Sequence, residues 1–203
     1  EVDGSEVEIR GSVIEGTGRI KGTGTIEIID SEAGEIKAEG IGRGLVEGSR
    51  LKAEKIEIGE SGEIEIRRTE AEIEEGIEVS EHGKLRISGS RIESEGTALE
   101  HKGKEAVKIE GSEVAGVEGL VLISGETEAE GSEIEGIKTG IEIRERADIE
   151  IRGIKVIGGE TGIKVEGARK RELEGIEIKS EGTAIEVDGS EVEIRGSVIE
   201  GTG

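Results

Sequence analysis

Small residues recur along this chain at a nearly fixed interval, and that interval restricts the fold more than any other feature. Gly76, Ala98, Gly119, Gly140, Gly162, Ala184 and Gly203 are separated by 22, 21, 21, 22, 22 and 19 residues. Directly behind the first six stand Ile77, Leu99, Leu120, Ile141, Ile163 and Ile185. A second column, Gly89, Gly111, Gly131, Gly153, Gly175 and Gly196, repeats with gaps of 22, 20, 22, 22 and 21. Alternating pairs such as Leu85/Ile87, Val107/Ile109, Ile149/Ile151 and Val192/Ile194 precede it. Three residues behind it run Ile92, Val114, Ile134, Val156, Ile178 and Ile199. Self-similarity at such a period marks a stack of structural repeats.

Between these marks the chain alternates apolar and polar residues, as in IEVSE, KLRIS and VKIEG. Alternation with period two is a strand signal, and helical spacing is absent. The aliphatic residues are 32 Ile, 14 Val and 7 Leu. Most are β-branched, which suits pleated strands better than helices. Glycine at a bend supplies a positive φ without a clash from Cβ. Each repeat therefore reads as three short strands separated by bends. Stacking the repeats at the ~4.8 Å strand spacing turns each aliphatic column into an internal ladder.

Segments GIEVSEHGKLRISGSRIESEG (76–96) and GTAIEVDGSEVEIRGSVIEG (182–201) resemble coil repeats of the pectin-lyase-like family. The resemblance lies in strand and turn pattern and covers nearly the whole chain. It implies a right-handed parallel β-helix. Where that family often stacks Asn at a bend, this chain places Gly followed by Ser, as at Gly89-Ser90 and Gly111-Ser112. The expected fold class is all-β: a right-handed parallel β-helix, or β-solenoid, of about nine coils of roughly 20–22 residues. Ile77, Leu85, Ile87, Leu99, Val107, Ile109, Ile141, Ile149, Ile163 and Ile185 are expected to point inward.

The stretch from Gly18 to Gly76 is less regular, and three coils fit it best. Residues 1–18, EVDGSEVEIRGSVIEGTG, return unchanged as residues 186–203. The copies lie 185 residues apart, a whole number of coils, so they are expected to be identical end coils of a single solenoid domain spanning 1–203.

Only twelve residue types occur; Pro, Cys, Met, Trp, Tyr, Phe, Asn and Gln are all missing. Average usage would supply many of each, so the alphabet points to a sequence chosen by design. The chain begins without Met, which suggests a removed leader or tag. Neither a signal peptide nor an apolar run of ~20 residues is present.

With 49 acidic and 27 basic residues the net charge is −22. That repels nucleic acid and anionic membranes, and neither is expected as a partner. Disorder is excluded by the aliphatic content. Without cysteine there is neither a disulfide nor a thiolate metal site, and the compartment stays unassigned.

The resemblance raises carbohydrate binding or cleavage, yet the residues offer it little. The four Asp, at 3, 30, 148 and 188, form no D-x-D cluster, and 45 Glu read as a solvated face. Aromatic platforms for a sugar are absent. The calcium nonapeptide and the EF-hand loop are missing too. His82 and His101 are the only histidines, too few for a zinc site, and His101 falls in a column otherwise aliphatic. Thr17, Thr97, Thr139, Thr161, Thr183 and Thr202 recur before the small-residue column, but Arg43, Glu75 and Glu118 interrupt any ladder. Their hydroxyls are expected to bond local backbone in turns. GTGRIKGTG (16–24) lacks the following helix and Lys-Ser/Thr of a phosphate loop.

No catalytic, cofactor-binding or metal residue is therefore assigned, and an enzyme is not expected. The expected role is a designed structural scaffold that requires no partner. The alternative is a self-assembling module whose matched ends stack into fibres.

Overall fold

The computed structural model describes residues 6–14, 18–21, 25–39, 42–167 and 170–202. Asp3, Thr17 and Gly203, and parts of both end coils and of 16–24, lie outside them.

The described residues form strands and bends only, and every strand pairing is parallel. Three faces repeat in order along the chain. The first carries Val7–Arg10, Arg43–Glu47, Glu63–Arg67, Lys84–Ser88 and Val107–Glu110. The second carries Arg50–Ala53, Glu70–Ile73 and Arg91–Ser94, and the third Ile56–Ile58, Ile77–Val79 and Thr97–His101. Each strand pairs with the strand of the same face one coil away, about 20 residues on. Glu113–Glu130 and Glu133–Arg152 are continuous strands that turn through all three faces, with register shifts at Gly116/Glu118 and Leu122/Ser124.

Alternation decides which way each residue faces. Arg50–Ala53 and Glu70–Ile73 read exposed-buried-exposed-buried. On the first face Ile9, Ile28, Val46, Ile66, Ile87, Ile109, Ala129 and Ile151 stack in register. Leu173 and Ile194 complete ten rungs, nine steps apart. The second face stacks Leu51, Ala71, Ile92, Val114, Ile134, Val156, Ile178 and Ile199. The third stacks Ile56, Ile77, Leu99, Leu120, Ile141, Ile163 and Ile185. Of the ten residues expected inside, eight are fully buried; Ile149 and Ile185 are half-buried and pack against the core. Burying each such side chain stabilises the fold by roughly 1.5–3 kcal/mol before entropy is counted. From Ile20 the third face takes three steps, through Ala38 and Ile56 to Ile77.

The second glycine column turns the chain between the first and second faces. Gly89, Gly111, Gly131, Gly153, Gly175 and Gly196 all have φ between +52° and +63°. The same corner continues toward the N-terminus as Gly11, Asp30, Gly48 and Arg68, so two side chains accept the left-handed conformation. Just after this corner lies a buried ladder of hydroxyls. Ser90 Oγ donates to the Ser88 carbonyl (2.9 Å) and accepts the Thr69 N–H of the preceding coil (3.2 Å). Ser31, Ser49, Thr69, Ser112 and Ser132 repeat the first bond, and the Ser90 N–H reaches Ser112 Oγ at 3.2 Å. The ladder satisfies backbone N–H groups that the bend leaves without a strand partner. At Ile154 and Ile176 buried aliphatic side chains replace it.

Thr97 departs from the expectation that the threonine column bonds local backbone in turns. Thr97 Oγ1 donates to the Glu118 carboxylate on the next coil (3.0 Å), because the two residues are register partners.

Candidate functional site

The outer surface is a lattice of charged columns, and the coil register decides which charges meet. On the second face Arg50, Glu70, Arg91 and Glu113 occupy successive rungs. Arg50 reaches Glu70 at 3.2 Å and Arg91 reaches Glu113 at 3.3 Å. Lys52 meets Glu72 (2.6 Å), Lys108 meets Glu128 (2.6 Å), and Lys155 meets Glu133 (2.9 Å). On the third face Glu57, Glu78 and Glu100 stack like on like. Lysines relieve that column: Lys55 holds Glu57 and Glu78 (2.5 and 2.7 Å), and Lys102 holds Glu78 and Glu100 (3.1 and 2.7 Å). The hydrogen bond from Lys55 pulls the Glu78 carboxyl below its ordinary range, against partial burial. Burial alone would lower the Lys55 pKa, but its bonds to Glu57 and Glu78 outweigh this and raise it.

Two of the concavities in the surface are roomy enough to consider as sites. The larger, about 470 Å³, lies on the second face above Ala53 and Ile73, rimmed by Lys52, Glu72, Glu93 and Glu95. The other, about 410 Å³, lies on the first face and includes Asp148, Glu150, Arg171, Glu172 and Glu193. Arg171 is buried at a position paired with Val192, among the aliphatic rungs of that face. Neither concavity holds an aromatic ring. A general acid needs a carboxyl whose pKa is raised. The carboxyl shifts that resolve, at Glu78, Glu166 and Glu177, all run downward because lysine neighbours hydrogen-bond them. That direction suits ion pairing rather than proton donation.

The two histidines do not meet. His82 is exposed and faces Glu105 at 3.4 Å. His101 is shut inside, with Nδ1 3.0 Å from Thr127 Oγ1. Its ring fills space left by Gly103 and Gly125, where an added Cβ would come within 3.3 and 2.9 Å of Nε2. Among the described residues no group of three or more His, Cys, Asp or Glu is placed to hold a metal ion. Asp30 sits at the positive-φ corner and Asp148 in the second concavity. Asp188 lies near the last coil, so the aspartates are dispersed.

Polar groups that sequence reasoning did not single out are Thr127 and Arg171. Both stand where alternation calls for an inward residue, and that was the available signal. The model of the right-handed β-helix region matches residues 97–203. No match was found among curated proteins, and none among solved structures. The parallel coil register, the three inner ladders and this match agree, and the chain belongs to the right-handed β-helix family.

Proposed function

We propose that this chain is a structural β-helix scaffold of designed origin, without catalytic activity, cofactor or required partner. The observation that carries the reading is the use made of its outward side chains. Many of its basic side chains pair with carboxylates on their own or a neighbouring strand, as Lys52 does with Glu72 at the rim of the 470 Å³ concavity. The twelve-letter alphabet supports a designed origin. The family's carbohydrate chemistry stands as a less favoured reading, for want of a stacking platform. Incubation with polygalacturonate and neutral polysaccharides tests this: no reducing ends are expected. Release abolished by a single Glu→Gln change would overturn it.

A second reading, end-to-end self-assembly, rests on its own observation. Val187 and Ile199 belong to inner ladders, yet they are 44 % and 45 % exposed because the last described coil has no neighbour on one side. Val7 and Ile9 at the other end are half-buried. Open strand edges invite added strands, and the identical coils share one rotational phase. The chain is then monomeric at neutral pH and low salt, and joins near its pI of about 4.6 or in high salt. Deleting residues 186–203 is expected to abolish the joining; a truncated chain that associates equally well would refute it.

A further inference from the structure

The matched end coils fix which charges would meet if one copy continued the stack of another. Inside the solenoid, opposite charges meet across rungs, as in the Arg50, Glu70, Arg91, Glu113 column. Other pairs lie within one strand, in the interior (Arg67 with Glu65, Arg144 with Glu142) as at both ends. Arg195 Nε donates to Glu193 at 2.7 Å in the last coil, and Arg10 pairs with Glu8 in the first. The coils are identical over eighteen residues, and residue n of the first is residue n + 185 of the last. A second copy continuing the stack in phase therefore sets Val192 on Val7 and Ile194 on Ile9, extending the inner ladder. The same register sets Glu191 on Glu6, Glu193 on Glu8 and Arg195 on Arg10.

Resting on the end-to-end reading above, we propose that this like-on-like register is the gate on assembly: the apolar rungs fit, and the outward charges forbid the fit at neutral pH. Like charges directly opposite on neighbouring strands destabilise the pairing. The inner side balances these groups only in part. Glu193 has Glu172 as its register neighbour and Arg195 has Glu174. Glu191 is paired in register with Lys170, Glu8 with Glu27 and Arg10 with Ile29. Acid removes the Glu-on-Glu repulsion at two positions, and salt screens all three. The partner so recognised is a second copy of this chain, offered edge to edge.

Charge reversal on one end coil tests the gate. The variant Glu6→Lys/Glu8→Lys/Arg10→Glu turns all three contacts into opposite-charge pairs and leaves the inner ladder untouched. Within its own chain it meets only Glu27 and Ile29 in register, so folding is preserved, which circular dichroism checks. In sedimentation velocity at neutral pH and low salt the parent is expected to run as a monomer. The variant is expected to shift to faster species, and to return to monomer when residues 186–203 are also deleted. Glu95→Lys, an exposed change in the middle of the stack, controls for lowered net charge and is expected to stay monomeric. If the reversed variant stays monomeric while the parent joins near pH 4.6, the gate is refuted and the stacking reading survives. A parent already joined at neutral pH and low salt refutes the gate as well. If no chain associates in acid or high salt, both fall.

Discussion

His101 Nδ1 and Thr127 Oγ1 lie 3.0 Å apart inside the solenoid, joining the third face of one coil to the first face of the next. Both side chains are closed to solvent, at 0 % and 1 % exposure. Burial lowers the His101 pKa from its ordinary value, and a backbone hydrogen bond to Glu105 opposes this only in part. The folded state then binds fewer protons than the unfolded one just below pH ~6.5, so the stabilisation is present above that pH and lost as pH falls through the folded pKa. His101→Leu alone is expected to strand the Thr127 hydroxyl and cost about 1–3 kcal/mol. His101→Leu/Thr127→Val removes both partners and is expected to recover most of that loss. Urea unfolding of the three chains at several pH values checks both points. A double variant that keeps the parent's pH dependence between 5 and 7 would contradict the assignment to His101.

The hydroxyl ladder makes a position-dependent expectation. Ser90→Ala leaves the buried Thr69 N–H without its acceptor and is expected to cost about 1–3 kcal/mol. Ser12 is half-buried at the edge of the stack, and its own N–H finds Ser31 Oγ. Ser12→Ala is therefore expected to cost less than Ser90→Ala, by denaturant midpoint. Equal losses would show that the ladder contributes nothing specific.

The positive-φ corner separates backbone strain from crowding. At Gly111 an added Cβ meets nothing within 4 Å, so Gly111→Ala is expected to cost only the left-handed penalty, about 1–2 kcal/mol. At Gly76 the Cβ would fall 1.8 Å from the Thr97 carbonyl oxygen, and Gly76→Ala is expected to cost more. Arg68→Gly relieves the same penalty at the loss of an exposed contact to Glu47, and is expected to be neutral or stabilising. Thermal melts of the three variants rank them; a Gly111→Ala loss as large as that of Gly76→Ala would contradict the distinction.

Most of the fold was legible because alternation and a fixed period act on every coil. The ladders through Ile87, Ile92 and Leu99 follow from spacing alone, and so does the bend that needs glycine at Gly89. Asp30 and Arg68 escaped, because a side chain tolerated at positive φ leaves no mark in the sequence. The ion pairs escaped as well. Whether Glu72 meets Lys52 or Glu93 depends on rotamers above a shared register, which periodicity does not encode. Glu57, Glu78 and Glu100 stack like on like in register, and the structure shows Lys55 and Lys102 lying across that column.

That lysine arrangement has a consequence in acid. The Glu78 carboxyl is held below its ordinary range, so its stabilisation is present above pH ~4.5 and lost as pH falls through the folded pKa. Lys55→Ala is expected to raise the Glu78 pKa, read by carboxyl-resolved NMR titration. The stability cost is expected to be modest, roughly 1 kcal/mol or less, since Glu78 keeps Lys102 as a second partner. An unchanged Glu78 titration would remove Lys55 as the cause.

The central claim is that each coil lies in parallel register on the next. Methyl-labelled NOE spectroscopy of the isoleucines tests it most directly, because Ile66, Ile87 and Ile109 stack on one another at separations of 21 and 22 residues. The account predicts an unbroken chain of contacts Ile66–Ile87–Ile109, with Ile92 continuing separately to Val114 and Ile134. Contacts confined to hairpin partners, such as Ile87 with Ile92, without the 21- and 22-residue steps, would contradict it.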